Sequence, residues 1–196
     1  MDSEPISNRV LAGLLTDVGL PVTPEESVEA FMGRSWKNVA AWAEERGGLP
    51  DGFRRRYLDT MFAAFEQELQ PVPGVAAALD AISLPVCVAS SGSHEKMQMT
   101  LAHTGLLERF EGRIFSATEV EHGKPAPDLF LHAATSMGWE PATTAVVEDS
   151  PAGVAAGLAA GMIVFGYAGW TPAERLEGAR VFTDMAELPA LLSQPS

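Results

Sequence analysis

The segment after Gly74 alternates short apolar runs with helical segments, and this alternation constrains the fold more than any other feature of the sequence. The runs PVCVAS, TAVVED and MIVFGY have the length of strands, and segments such as SPAGVAAGLAAG between them are helical in character. Continuous apolar strands joined by helices are typical of a parallel sheet that is covered on both faces. The sequence therefore predicts an α/β fold with a parallel sheet between layers of helices.

The first third of the chain predicts a separate bundle of helices. Apolar residues recur every fourth residue in ISNRVLAGLLTDVGL and again between Phe53 and Leu69, which places them on one face of a helix. Thr23 followed by Pro24 is a typical helix start. The segment QPVPGV then interrupts the helical pattern with prolines and a glycine. We therefore place a helical domain over residues 1–70 and an α/β domain over residues 71–196.

The composition excludes several classes of protein. A formal net charge of −13 with only 13 lysine and arginine residues argues against a nucleic-acid partner. No run approaches the ~18 apolar residues of a membrane span, and the N-terminus lacks the order of a signal peptide. The one cysteine, Cys87, lies in an apolar run and is interpreted as a structural thiol. We therefore expect a soluble, cytoplasmic protein with neither a membrane nor a nucleic-acid partner.

Three polar clusters follow three of the predicted strands. Ser90-Ser91-Gly92-Ser93 follows PVCVA, Lys124 lies in EHGKPAPD after RIFSATEV, and Glu148-Asp149-Ser150 follows TAVV. Ligands of open α/β sheets bind beyond the carboxyl ends of the strands, where these clusters would meet. Each cluster alone also fits an ordinary turn or helix cap.

The three clusters together suit a phosphate group and a divalent metal. Hydroxyls and backbone N–H groups at a helix start can hold phosphate oxygens, and a lysine adds a compact positive charge. Carboxylate oxygens suit Mg²⁺, which would also offset the repulsion between the acidic pair and a phosphate dianion. The sequence therefore predicts a site for a small phosphorylated metabolite with Mg²⁺ as cofactor.

The motifs VASSGS, GKPAPDLF and VVEDSPAGVAAGLAAGM resemble the second, third and fourth motifs of the haloacid dehalogenase-like (HAD) superfamily. The segments DSEPISNRVLAGLL and FMGRS are similar to the α-helical cap of its β-phosphoglucomutase and sugar-phosphate phosphatase subfamily. This resemblance covers essentially the whole chain. It implies a Rossmann-like core with a small helical cap, and a Mg²⁺-dependent phosphomonoester hydrolase.

The resemblance also implies a role for individual residues. By that resemblance, the Ser90 hydroxyl donates to the substrate phosphate and the Ser91 N–H assists. Lys124 bridges the phosphate and the nucleophile. Asp149 ligates Mg²⁺ directly, and Glu148 acts through a metal-bound water.

Three further residues each allow a functional and a structural interpretation. Arg34 and Lys37 of the segment GRSWK could reach from the cap to an anionic substrate, or they could be surface charges at a helix start. Trp170 follows a strand and could line the cleft, or it could be an ordinary half-buried aromatic residue.

The sequence departs from the family at the first motif. Members of the family use an aspartate–x–aspartate pair at the end of a first strand, whose first aspartate is the nucleophile. By register this pair would precede Met1, and neither Asp2, Asp17 nor Asp80 replaces it. We therefore expect the chain as written to be inactive or nearly so. A misassigned start codon, with the missing strand encoded upstream, is our preferred hypothesis.

The missing strand also has a structural consequence. In the resembled fold it lies in the middle of the sheet, between the strands PVCVAS and TAVVED. Its loss would leave two strand edges with unsatisfied backbone groups.

Three functions are compatible with these residues. The leading one is a phosphatase that acts on a small sugar phosphate or a similar metabolite. A phosphomutase of the same fold is the alternative, and a non-catalytic phosphate-binding or metabolite-binding remnant is a third possibility. The sequence specifies neither the substrate nor the oligomeric state.

Overall fold

The computed structural model describes residues 3–32 and 36–193, which form two compact units. The first unit comprises Met1–Pro71 and the second comprises Val72–Ser196. Each unit has its own hydrophobic core. Across the described ranges, no helix combines the length and the apolar composition that crossing a bilayer requires.

The first unit is helical throughout its described regular structure. The predicted helix start at Thr23 is confirmed, because its hydroxyl accepts a hydrogen bond from the Glu26 N–H at 3.1 Å. In return, the Glu26 carboxylate accepts one from the Thr23 N–H at 2.8 Å, which completes a capping box. The helices are α1 (Ser3–Asp17), α2 (Pro24–Phe31), α3 (Trp36–Glu44) and α4 (Phe53–Glu68).

The apolar faces predicted from the four-residue spacing form the core of this unit. Its buried members come from every helix and are Leu11, Leu14, Leu15, Leu20, Phe31, Val39, Ala43 and Phe53. The three consecutive arginines at residues 54–56 lie on the outside of α4, where Arg56 pairs with Asp17 at 2.8 Å and Arg55 pairs with Asp59 at 2.9 Å. This run is a solvated helix face.

The second unit alternates helices and strands along its described residues. The strands are shorter than the apolar runs that predict them, because each strand includes only the residues that pair with a neighbouring strand. The elements are α5 (Val75–Ala81), β1 (Val88–Ser90), α6 (His94–His103), β2 (Ile114–Ser116), α7 (Asp128–Met137), β3 (Ala145–Glu148), α8 (Pro151–Ala159), β4 (Ile163–Tyr167), β5 (Arg180–Phe182) and α9 (Leu188–Leu192).

The strands form two parallel sheets. One contains β1 and β2, and the other has the order β3-β4-β5. The prediction of parallel strands is confirmed. Among the described residues, β1 pairs with β2 and β3 pairs with β4, so no hydrogen-bond ladder joins the two sheets. This agrees with the expectation that the facing edges of PVCVAS and TAVVED are unpaired in this chain.

Helices cover both faces of the larger sheet, as predicted. Val164 of β4 packs with residues of α7 and α8, including Phe130 and Val154. Its neighbour Phe165 points to the opposite face and packs with residues of α5 and α9, including Ala78. Successive residues of a strand point to opposite faces, so one apolar strand contributes to two cores.

Candidate functional site

The polar clusters lie where the strands of the second unit end. Ser90 is the last residue of β1 and pairs in register with Ser116, the last residue of β2. Glu148 is the last residue of β3 and pairs with Gly166 near the end of β4. Because the strands are parallel, these residues lie at the carboxyl ends of their sheets, where α/β proteins bind ligands.

Lys124 links the ends of the two sheets. Its ammonium group Nζ donates to the backbone carbonyl of Ala89 in β1 at 3.3 Å and forms an ion pair with Glu148 Oε1 at the end of β3. Only 6% of the Lys124 side chain and 9% of the Glu148 side chain are exposed. A buried ion pair with an additional acceptor fixes both charged groups in position. Lys124 of GKPAPDLF and Glu148 of VVEDSPAG are thereby joined to the backbone of VASSGS.

Ser150 and Gly153 also contact the carboxylate of Glu148. The Ser150 hydroxyl donates to Glu148 Oε2 at 3.1 Å and also accepts from the Gly153 N–H at 3.0 Å, which caps α8. Gly153 is required at this point, because a Cβ there would lie 2.0 Å from Glu148 Oε2. Glu148 therefore packs directly onto the first turn of α8.

The serine cluster forms a compact turn between β1 and α6. The Ser90 hydroxyl accepts a hydrogen bond from the Gly92 N–H at 3.2 Å, and Ser93 caps α6 by accepting from the Lys96 N–H at 3.3 Å. From β2, the fully buried hydroxyl of Ser116 donates to the Gly92 carbonyl at 2.8 Å. The turn is thus fixed both internally and from the neighbouring strand.

Glu119 supports this turn from the side of β2. Its Oε2 accepts a hydrogen bond from the Ser116 N–H at 2.6 Å, and its Oε1 lies 3.2 Å from Nε2 of His94, the first residue of α6. Nε2 of His132 lies 3.8 Å from Oε2. Burial alone would raise the pKa of Glu119, but the Ser116 hydrogen bond and the interactions with both histidines outweigh it and lower this pKa.

The lowered pKa predicts a pH dependence for the substitution Glu119→Gln. A carboxylate with a depressed pKa stabilises the folded state above its unfolded pKa of about 4.3, and this contribution is lost as the pH falls through the lower folded value. We expect the variant to melt below the wild type at pH 7 and the difference to shrink below about pH 4. Thermal denaturation of both proteins from pH 3 to pH 7 measures this, and a pH-independent difference would contradict it.

Asp149 is positioned through its backbone. The Thr171 hydroxyl, which is 95% buried with its residue, donates to the Asp149 carbonyl at 2.5 Å. Thr171 follows β4, so the contact joins the segments that leave β3 and β4.

Removing this hydroxyl should displace Asp149. We expect Thr171→Val to lower the free energy of unfolding by about 1–3 kcal/mol, because the partly buried Asp149 carbonyl loses its partner. We also expect weaker Mg²⁺ binding, measured by titration calorimetry. Thr171→Ser, which keeps the hydroxyl, is the matched control. Equal Mg²⁺ affinity in the valine variant and the wild type would refute a role for the contact.

Two of the other candidate residues, Arg34 and Lys37, belong to the first unit. Arg34 lies outside the described residues. Lys37 is the second residue of α3, exposed and in the first unit. Burial raises the pKa of the Cys87 thiol to about 11, against a smaller opposing effect of Arg113, so this thiol is poorly suited to be a nucleophile.

Three residues of this site, Ser116, Thr171 and Gly153, are not among the candidates predicted from the sequence. Ser116 and Thr171 are buried hydroxyls whose partners are 24 and 22 residues away in the chain. The spacing of residues along the sequence does not indicate such long-range contacts. Gly153 did carry a signal, because a glycine inside a helix costs about 1 kcal/mol and indicates a close approach.

The donor set is compatible with Mg²⁺. Asp149 and Glu148 are adjacent carboxylates at a strand end, and Mg²⁺ takes one or two protein carboxylates while keeping several waters. The described residues contain no cluster of three or more histidine, cysteine, aspartate or glutamate side chains able to hold a metal. Transition-metal sites of that kind are therefore not found in this part of the chain.

Comparisons with known proteins agree on one family. A family model for haloacid dehalogenase-like hydrolases matches residues 3–161. The chain is 30% identical over 196 aligned residues to a 6-phosphogluconate phosphatase of Escherichia coli, covering 97% of this chain and 89% of the relative.

Two solved structures have the same fold. A haloacid dehalogenase-like protein of unknown function from Agrobacterium tumefaciens is 35% identical, with a TM-score of 0.79 over 98% of this chain and 92% of that chain. A HAD family hydrolase from Deinococcus radiodurans, solved with bound phosphate and sodium, is 30% identical. Its TM-score is 0.72 over 97% of this chain and 89% of that one. The chain belongs to the haloacid dehalogenase-like hydrolase family.

Proposed function

We propose that this protein is a Mg²⁺-dependent phosphomonoester hydrolase that acts on a small sugar phosphate or a related metabolite. The observation that carries the proposal is the buried Lys124 ammonium. It pairs with the Glu148 carboxylate at the end of β3 and donates to the Ala89 carbonyl, next to Ser90, in β1. A fixed positive charge between hydroxyls and carboxylates suits a phosphate and a hard cation.

Each part of the cluster has a role in this proposal. The hydroxyl of Ser90 and the N–H of Ser91 bind phosphate oxygens, because both lie at the turn that leads into α6. Lys124 contributes positive charge to the phosphate and keeps Glu148 in place. Lys37 and Arg34 are candidate contacts to an anionic substrate.

The two residues of the acidic pair would contact Mg²⁺ in different ways. Asp149 would ligate it directly. Glu148 is already bound by Lys124 and Ser150, which favours a contact through a metal-bound water. When bound, Mg²⁺ would offset the charge of the phosphate. The phosphate and sodium bound to the Deinococcus radiodurans relative support the pairing of an anion and a cation site.

The nucleophile in this proposal lies outside the described residues. Asp17 ends α1 and pairs with Arg56, while Asp80 lies in α5 and pairs with Arg109 at 2.6 Å. Both are surface ion pairs on helices, so neither aspartate is at a strand end. We therefore expect residues 1–196 alone to bind phosphate but to hydrolyse phosphomonoesters very slowly.

The test compares two proteins in Mg²⁺ against a panel that includes 6-phosphogluconate and fructose 1-phosphate. One is the chain of 196 residues, and the other carries an added N-terminal strand that ends in aspartate–x–aspartate. We expect the extended chain to release inorganic phosphate at least about a thousandfold faster, because splitting the transfer into two steps requires a positioned nucleophile.

The products and rates distinguish the alternatives. Conversion of a sugar phosphate to an isomer without release of phosphate would indicate a phosphomutase. An extended chain that binds inorganic phosphate but turns over nothing on the panel would indicate a binding module. Equal rates for both chains would show that the nucleophile lies within residues 1–196, which contradicts its proposed location.

A further inference from the structure

We propose that Trp170 forms a wall of the substrate site and contacts the carbon skeleton of the phosphomonoester. The inference rests on the proposed function and deepens it. It assigns to this residue the discrimination between an organic phosphate and inorganic phosphate.

The segment that carries Trp170 leaves the sheet beside the acidic pair. It follows β4, whose residue Gly166 pairs in register with Glu148 at the end of β3. The next residue in the chain, Thr171, donates its hydroxyl to the Asp149 carbonyl at 2.5 Å. Trp170 is therefore one residue removed from a direct contact with the proposed metal-binding aspartate.

The backbone on both sides of Trp170 is fixed. On the N-terminal side, the Ala168 N–H donates to the Phe182 carbonyl at 2.8 Å. The ring of the buried Tyr167 occupies the space where a Cβ of residue 169 would lie, at 2.3 Å, so only glycine fits at Gly169. On the C-terminal side, Thr171 is buried and hydrogen-bonded.

The indole on this fixed segment is more exposed than those of the other three tryptophans. Trp170 is 46% exposed, whereas Trp36, Trp42 and Trp139 pack against the hydrophobic cores of their units. Burial of the apolar face of this indole against a ligand would remove it from water, which is favourable. A rigid backbone lowers the conformational entropy that the residue loses on binding.

An indole suits the carbon skeleton of a polyol or sugar phosphate. Its flat face packs against C–H groups, and its N–H can donate to a hydroxyl. It carries no charge, so it adds nothing to the recognition of the phosphate itself. The expected signature of this residue is a change in affinity for the organic phosphate without a change in affinity for inorganic phosphate.

The experiment measures dissociation constants by titration calorimetry in Mg²⁺, with 6-phosphogluconate and inorganic phosphate as probes. We expect Trp170→Ala to raise Kd for 6-phosphogluconate about tenfold, the effect of losing about 50 Å² of apolar contact. We expect Trp170→Phe, which keeps a flat aromatic face, to stay within about threefold of the wild type. Kd for inorganic phosphate should be the same in all three proteins.

Leu84→Ala is the matched control. Leu84 is 53% exposed and precedes β1, so it lies at the amino end of a strand rather than the carboxyl end. Its substitution should change neither constant. Equal weakening of both probes by Trp170→Ala would show a structural role and overturn the inference. No change with either probe would overturn it as well, while the proposed function stands. A wild-type chain that binds neither probe would overturn both.

Discussion

Replacing Lys124 with methionine is expected to abolish phosphate binding and to lower the free energy of unfolding by about 3–5 kcal/mol. The Lys124 and Glu148 side chains are 6% and 9% exposed, so removal of the ammonium leaves a carboxylate buried without its counter-charge. The Ala89 carbonyl also loses a donor. Urea denaturation measures the stability, and calorimetry with inorganic phosphate in Mg²⁺ measures the binding.

The double variant Lys124→Met/Glu148→Gln separates the two effects. Glutamine is uncharged, so the double variant should regain a large part of the lost stability while phosphate binding stays absent. A double variant that is as unstable as the single variant would show that packing of the lysine stem, rather than the buried charge, explains the loss. Retained phosphate affinity in the single variant would contradict the role of Lys124.

Replacing Gly153 with alanine has the second largest expected effect. The new Cβ would lie 2.0 Å from Glu148 Oε2 and 2.1 Å from its Cδ, so the carboxylate must move. That movement breaks its contacts with Lys124 and Ser150. Alanine is favoured over glycine inside a helix by about 1 kcal/mol, yet we expect a net loss of about 1–3 kcal/mol because the collision dominates. Inorganic phosphate and Mg²⁺ should bind at least about tenfold more weakly.

Gly157→Ala in the same helix is the matched control. Its Cβ would lie 2.8 Å from Val164 Cγ2 and 3.4 Å from Val146 Cγ1, so it overpacks the core of the second unit without touching Glu148. We expect a comparable loss of stability with unchanged phosphate affinity. If both alanine variants weaken phosphate binding equally, then the effect of Gly153→Ala is a general loss of packing and not a displacement of Glu148.

The sequence predicted the elements that depend on local chemistry. The helix that begins after Thr23 and the parallel strands of the second unit follow from caps, apolar periodicity and strand composition. It overestimated the length of β1, because the apolar run begins at Pro85 while pairing with β2 starts at Val88. Apolar composition indicates which residues are buried, whereas the length of a strand depends on how many of its residues pair with the neighbouring strand.

Contacts between distant segments could not be predicted. The family resemblance named Lys124 and Glu148 as site residues, but nothing in their spacing of 24 residues indicates that they pair with each other. Likewise, no sequence pattern indicates that Ser116 fixes the turn at Gly92 from a neighbouring strand. Such contacts depend on which strands are adjacent, and this is decided by the whole sheet.

Two helices, α6 and α8, begin directly after strand ends, at the caps Ser93 and Ser150. The first turns of these helices carry partial positive charge, whereas the whole chain carries a formal net charge of −13. An approaching phosphate dianion is therefore repelled at long range and attracted only at close range. At physiological ionic strength, salt largely screens the interaction between exposed charges that are more than about 8 Å apart. It weakens the interactions of buried charges much less. Association with an anionic ligand should accordingly become faster as ionic strength rises, the opposite of the behaviour of a basic anion-binding protein.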